Sequence, residues 1–143
     1  MPANYPATLR DIRQGVLNWP MWSRLGWSDV KGRYRRTVLG PFWATLSLGI
    51  VIFAMSVVMA RLFNAELNKF LPYFTAGMVT WTLVSALINE GTLVFITAET
   101  LIKSLKFPLT TLICALVWRN AIVFAHNLLI LVFVLLLMGV PVT

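Results

Sequence analysis

Charge is scarce in this 143-residue chain, and negative charge most of all: Asp and Glu total 5 against 12 Lys and Arg, and charged residues make up 12% while hydrophobic ones reach 59%. A soluble domain carries about a quarter charged residues. A core of this length would need a far more polar surface than these residues can supply, so water is excluded as the solvent for most of the chain. Cysteine is limited to Cys114, which excludes an intramolecular disulfide, and its apolar neighbours make it a small buried thiol. Histidine is limited to His126, and one His with one Cys gives no metal-ligand spacing. Gly26, Gly32 and Gly40 do not form a phosphate-binding loop. No catalytic constellation is present, so the chain reads as a non-enzyme with no cofactor of its own. The first apolar run begins too late and is too long for a signal peptide.

What remains is an integral membrane pattern. Seven of the 12 cations stand at or before Arg36, namely Arg10, Arg13, Arg24, Lys31, Arg33, Arg35 and Arg36, opposed there only by Asp11 and Asp29. A basic segment directly before an apolar run marks a cytoplasmic flank drawn to anionic headgroups, a better account than a nucleic-acid surface. Leu9, Ile12 and Val16 share one face of an expected first helix, which Trp19-Pro20 should end. Met21–Thr37 reads as an amphipathic helix in the membrane interface, with Trp27, Val30, Tyr34 and Val38 as its apolar stripe and Lys31, Arg33, Arg35 and Arg36 mostly off it. Gly40-Pro41 lets the chain turn into the first span.

The expected fold is all-α: residues 1–39 form a cytoplasmic N-terminus with the interface helix, and residues 40–143 form a region of three transmembrane helices. The spans are placed at about 40–60, 70–89 and 119–140, each near the length that crosses about 30 Å of hydrocarbon. Pro72 falls in the first turn of the second span. Residues 90–108 form a mixed cytoplasmic segment, in which Leu101, Ile102 and Leu105 give a short helix an apolar side before Phe107-Pro108 ends it. The basic flank puts the N-terminus inside the cell, the 61–69 loop outside and Thr143 outside. An apolar stretch running to the last residues is expected of part of a longer protein.

Polar residues inside or beside the spans form a second pattern: Glu90, Arg119, Asn120, His126 and Asn127. Such groups face protein or water rather than lipid. They either line a polar conduit or bond neighbouring helices together. Glu90 and Arg119 fall near the same expected membrane surface, within reach of a pair. Trp43, Phe53, Tyr73, Phe74 and Trp81 serve either as stacking surfaces for sugar rings or as anchors and packing.

Three segments resemble a known family. RYRRTVLGPFWATLSLG (Arg33–Gly49) resembles the approach to the first span in permease subunits of ABC-type O-antigen and polysaccharide exporters. LPYFTAGMVTWTLVSALINEGTLVFITAETLIKSLKFP (Leu71–Pro108) is similar to their second span and cytoplasmic loop, and VWRNAIVFAHNLLI (Val117–Ile130) to the start of their third. The matches occur in order. Such permeases have six spans, so the resemblance makes this chain the N-terminal half of one. It implies export of a lipid-linked polysaccharide across a bacterial cytoplasmic (inner) membrane, a second permease copy, and a separate ATP-binding subunit that holds ATP-Mg. It also implies roles. Glu99, Leu101, Ile102, Lys103, Lys106, Phe107 and Pro108 match the coupling segment that docks on the ATPase. Lys31, Arg33, Tyr34, Arg35 and Arg36 belong to the interface helix, where the cations either anchor the chain or meet the pyrophosphate of a carrier lipid. Trp43, Thr45, Ser47 and Phe53 become candidate conduit-lining positions. A drug or small-lipid exporter permease and a non-transporting three-span scaffold are the alternatives.

Overall fold

A computed structural model describes residues 5–35, 41–105 and 107–138. It contains six helices: α1 (Tyr5–Leu17), α2 (Trp19–Tyr34), α3 (Pro41–Leu62), α4 (Leu67–Thr97), α5 (Glu99–Ser104) and α6 (Thr110–Met138). No strand occurs among the described residues. The all-α expectation holds. Among the described residues three helical stretches are long and apolar enough to cross a membrane: Phe42–Leu62, Leu67–Ser104 and Thr110–Leu137. Only 11%, 6% and 17% of their most apolar windows is buried inside the chain. The remaining apolar surface needs lipid or further protein around it, as a membrane protein provides.

The helix boundaries depart from those expected. The 61–69 loop shrinks to residues 63–66 because α3 ends in a Schellman motif. Ala65 N donates to Ala60 O at 2.8 Å and Asn64 N to Arg61 O at 3.4 Å, with Asn64 left-handed at φ 49°. Asn tolerates that conformation better than most side chains, so it takes the place glycine usually has. The next helix then starts at Leu67, so Pro72 lies inside α4 rather than in its first turn. Its missing N–H leaves the Asn68 carbonyl without its usual helical donor. Three residues on, the buried Thr75 hydroxyl donates back to Leu71 O at 2.7 Å.

Two further boundaries move. Residues 90–97, expected in a segment outside the second span, continue α4. No proline interrupts them, a single Gly91 costs a helix only about 1 kcal/mol, and Thr92 and Thr97 donate to the carbonyls of Asn89 and Leu93. The third long helix begins at Thr110, not near Arg119, and passes through Arg119-Asn120 without a break. Both side chains find partners there, so neither is a reason for the helix to stop. At about 1.5 Å per residue, α4 is about 47 Å long and α6 about 44 Å, each longer than the hydrocarbon core.

The chain divides into two units. One holds α1, α2, α5 and the parts of α4 and α6 within Ser85–Ala121. The other holds α3, α4 up to Val84 and α6 from Ile122. The second unit packs on Ile52, Leu71, Val79 and Val134, flanked by Leu48, Phe74, Met78, Phe124 and Ile130.

The first unit is built by close approach at glycines. α1 ends one residue before the expected Trp19-Pro20 break, at Asn18, whose carbonyl accepts from Met21 N and Trp22 N. Pro20 then sits in the first turn of α2, where its absent N–H costs little. A Cβ added at Gly15 would lie 2.5 Å from Thr110 Cβ, and one at Gly26 would lie 2.8 Å from the Ala115 carbonyl oxygen. Trp22 meets Trp118 edge to face, with centroids 5.8 Å apart. The side of α2 that packs within this unit is therefore Trp22–Gly26–Val30: of the expected stripe Val30 is buried, whereas Trp27 is exposed. On α1, Leu9, Ile12 and Val16 are exposed, while Asp11 and Gly15 meet the start of α6. Small side chains win these positions because backbone-to-backbone proximity excludes large ones, whatever their hydrophobicity.

Candidate functional site

The first unit carries a cluster of charged groups on three helices. The spacing of α4 places Glu90 opposite Arg119 and Asn120 of α6, and the last turns of α2 bring Asp29 and Arg33 to the same place. Glu90 Oε2 accepts from Arg119 Nη2 at 2.7 Å and from Asn120 Nδ2 at 2.9 Å, and its Oε1 accepts from Arg33 Nη2 at 2.6 Å. Arg119 also donates through Nη1 to Asp29 Oδ2 at 2.8 Å. Asn120 donates in addition to Leu116 O, one turn back on its own helix, which holds the amide in place.

Burial separates these contacts in energy. The side chains of Arg119 and Glu90 are 16% and 22% exposed, whereas Arg33 and Asp29 are 49% and 51% exposed. A charge-assisted bond between poorly solvated partners is strong, and breaking one side of it is costly. The outer pairs are weakened by solvent screening. Arg119 Nε is buried and has no partner among the described residues.

Of the expected intramembrane polar cluster, the structure brings together Glu90, Arg119 and Asn120. His126 and Asn127 lie in the second unit with other partners. His126 stands edge-on to Phe42, with centroids 5.6 Å apart, and the Asn127 Oδ1 accepts from the Thr45 hydroxyl at 3.2 Å. Asp29 was visible in the sequence only as a counter-charge. Its role depends on α2 packing against α6, which no local pattern reports.

The other candidate positions fall as follows. Trp43 and Phe53 are exposed on α3, and the Ser47 hydroxyl returns to Trp43 O at 2.8 Å. Phe53 and Thr45 line an almost wholly apolar cavity of about 720 Å³ between α3 and α6. In the segment after α4, Glu99 and Lys103 pair at 2.5 Å across one turn of α5, both exposed, while Leu101, Ile102, Phe107 and Pro108 are half-buried. Lys31 lies 5.7 Å from the centre of the Trp27 ring, a cation–π arrangement, and Arg35 is exposed. Arg36, Lys106 and the side chain of Tyr34 lie outside the described residues.

A second polar contact fixes the start of α6. The carboxylate of Asp11 accepts from Leu109 N at 3.0 Å, Thr110 N at 3.1 Å and the Thr110 hydroxyl at 2.6 Å. These donors are the otherwise unmatched groups of a helix N-terminus. The Thr110 hydroxyl, with the two backbone N–H groups, holds the Asp11 carboxyl below its ordinary range against the opposing effect of desolvation. In the sequence Asp11 is visible only as a counter-charge, because the helix it caps lies 99 residues away.

Among the described residues no group of three or more His, Cys, Asp or Glu side chains is placed to hold a metal ion. The arrangement can hold helices in register and present charge beside apolar surface. No protein-family model matches the chain, and neither a curated protein nor a solved structure gives a significant match.

Proposed function

We propose that the chain is a membrane-spanning part of an ATP-driven exporter that moves lipid-linked polysaccharide across a bacterial cytoplasmic membrane. The observation that carries this reading is α5. It is a short helix between two long apolar ones, with Glu99 and Lys103 exposed and Leu101 and Ile102 half-buried against its own unit. A partner that closes on ATP needs an exposed charged element to push on, and the segments resembling exporter permeases include this one. The ATP-binding subunit docks on α5 and Phe107-Pro108, a second permease copy completes the assembly, and the N-terminus faces the cytoplasm.

Co-purification tests this. The chain, purified from its native membranes, is expected to retain an ATP-binding subunit, and Lys103→Glu or Phe107→Ala is expected to release it while the membrane fraction is unchanged. Loss of the gene removes surface glycan. A stable chain with no ATPase bound and no glycan phenotype would leave the scaffold reading instead. One feature favours a small-lipid or drug exporter: the cavity lined by Phe42, Phe53, Ile130 and Phe133 is almost free of polar groups and suits an apolar cargo better than a sugar. Intact surface glycan together with altered drug resistance in the deletion strain selects that alternative.

A further inference from the structure

Both N-terminal helices pack on one side of α6. Asp11 and Gly15 of α1 meet Thr110 and Thr111, and Trp22 and Gly26 of α2 meet Ala115 and Trp118. Residues 111, 115 and 118 are three to four apart, so they share one face of α6. Both acids of the helix pair are used inward: Asp11 caps α6, and Asp29 pairs with Arg119. Helix geometry then fixes what points away from α6. On α1, Leu9, Arg13, Val16 and Leu17 lie opposite Asp11 and Gly15, with Arg10 and Ile12 at the margins. On α2, Arg24, Trp27 and Lys31 lie opposite Trp22, Gly26 and Val30. All of these outward residues are exposed, Leu9 by 66% and Leu17 by 65%. Among the described residues Arg10, Arg13, Arg24 and Lys31 take part in no ion pair. The outward layer is therefore basic and apolar at once, with no carboxylate in it.

We infer that this layer, formed by α1 and α2 together, lies on an acidic phospholipid surface. Nucleic acid would satisfy the cations but leave Leu9, Val16 and Leu17 in water. A bilayer surface offers anionic headgroups over acyl chains and so meets both chemistries. Arg13 stands amid Leu9, Val16 and Leu17, where its stem lies along apolar surface while the guanidinium reaches phosphate. Trp27, with Lys31 5.7 Å from its ring centre, is of the residue type that headgroup regions favour. The chain also tethers α2 to a span: residues 35–40 join Tyr34 to Pro41, a reach of at most about 25 Å. The face differs from the stripe expected on α2, whose Val30 is buried, and it brings in α1. It requires a membrane but no exporter, so it stands apart from the transport reading.

The full chain with Cys114→Ser and Val16→Cys, labelled at position 16 with a polarity-sensitive fluorophore, tests this in phosphatidylcholine vesicles with or without about 30 mol% phosphatidylglycerol. Emission at least about two-fold stronger with phosphatidylglycerol is expected, quenched by a lipid bearing a nitroxide near its headgroup. Arg10→Gln/Arg13→Gln alters only exposed side chains. Helicity and melting temperature should therefore hold in that variant, while the emission ratio between the two vesicles falls toward one. Salt at about 1 M, where the Debye length is about 3 Å, should lower the ratio in the same direction. An unchanged ratio in the variant would overturn the charge argument. Equal, quenched emission in both vesicles would overturn the assignment to acidic lipid, and unquenched emission in both would leave the face in water. A label shielded in native membranes but not in pure lipid would overturn it in favour of an acidic protein partner.

Discussion

At the scale of single residues, Glu90 is the side chain on which most depends. It receives three hydrogen bonds from two helices other than its own, two of them from guanidinium groups. Glu90→Ala leaves Arg119 poorly solvated with only Asp29 to face, and should cost about 3 kcal/mol of stability. Arg33→Ala, at a half-exposed partner, should cost less than about 1 kcal/mol. Melting temperatures in detergent rank the two. The double variant Glu90→Ala/Arg119→Ala should be less destabilised than the sum of the single ones, by about 1 to 3 kcal/mol. Additivity would mean that the 2.7 Å contact carries no coupling. Asp11 gives a pH-dependent counterpart. Its folded carboxyl is held below the ordinary value, chiefly by the Thr110 hydroxyl, so the native state favours the ionised form. Its contribution is present in full above the unfolded value near pH 4 and fades as pH falls through the lower, folded value. The stability gap between the natural chain and Asp11→Asn, about 1 kcal/mol at neutral pH, should therefore close on acidification below about pH 4. A gap that stays constant down to pH 2.5 would remove Asp11 from the capping role.

Among the elements, α2 shows how a helix is selected by its smallest residue. Gly26 lies where a Cβ would run into the Ala115 carbonyl oxygen and the Trp118 ring, whereas Gly32 faces open space. Gly26→Ala should destabilise the first unit by about 1 to 3 kcal/mol, because backbone oxygen cannot rotate away as a side chain can. Gly32→Ala on the same helix should be neutral or stabilising by up to about 1 kcal/mol, through helix propensity alone. Thermal unfolding of the two variants side by side makes the comparison, and equal effects would mean that α2 does not approach α6 so closely. The extent of α4 follows a related logic. The expected second span stops at about residue 89, just before Glu90, yet a charge paired within the protein is no longer a reason for a helix to end.

For the whole molecule, the uneven charge distribution predicts topology. With seven of 12 cations at or before Arg36, a cysteine introduced at Asn64 in the turn between α3 and α4 should react with an impermeant thiol reagent on intact cells. One introduced at Ser104 should react only after the cells are opened. The natural Cys114 is half-buried and supplies the background to subtract. Labelling in the reverse pattern would invert the orientation and rule out the proposed docking of an ATPase on α5.

The sequence by itself determined that the chain is helical and belongs in a membrane. Scarce charge and long apolar runs are local properties, and a helix satisfies its own backbone hydrogen bonds within one segment, so no tertiary contact is needed to infer it. It also marked Glu90, Arg119 and Asn120 as groups that could not be left in hydrocarbon alone. Only the tertiary structure decided which partners relieve them. Asp29 and Arg33 reach Glu90 and Arg119 across 57 to 90 residues of chain, and Asp11 reaches Thr110 across 99. It also decided which face of α2 is buried, because that choice turns on the absence of a Cβ at Gly26, and hydrophobic periodicity gives a glycine no weight.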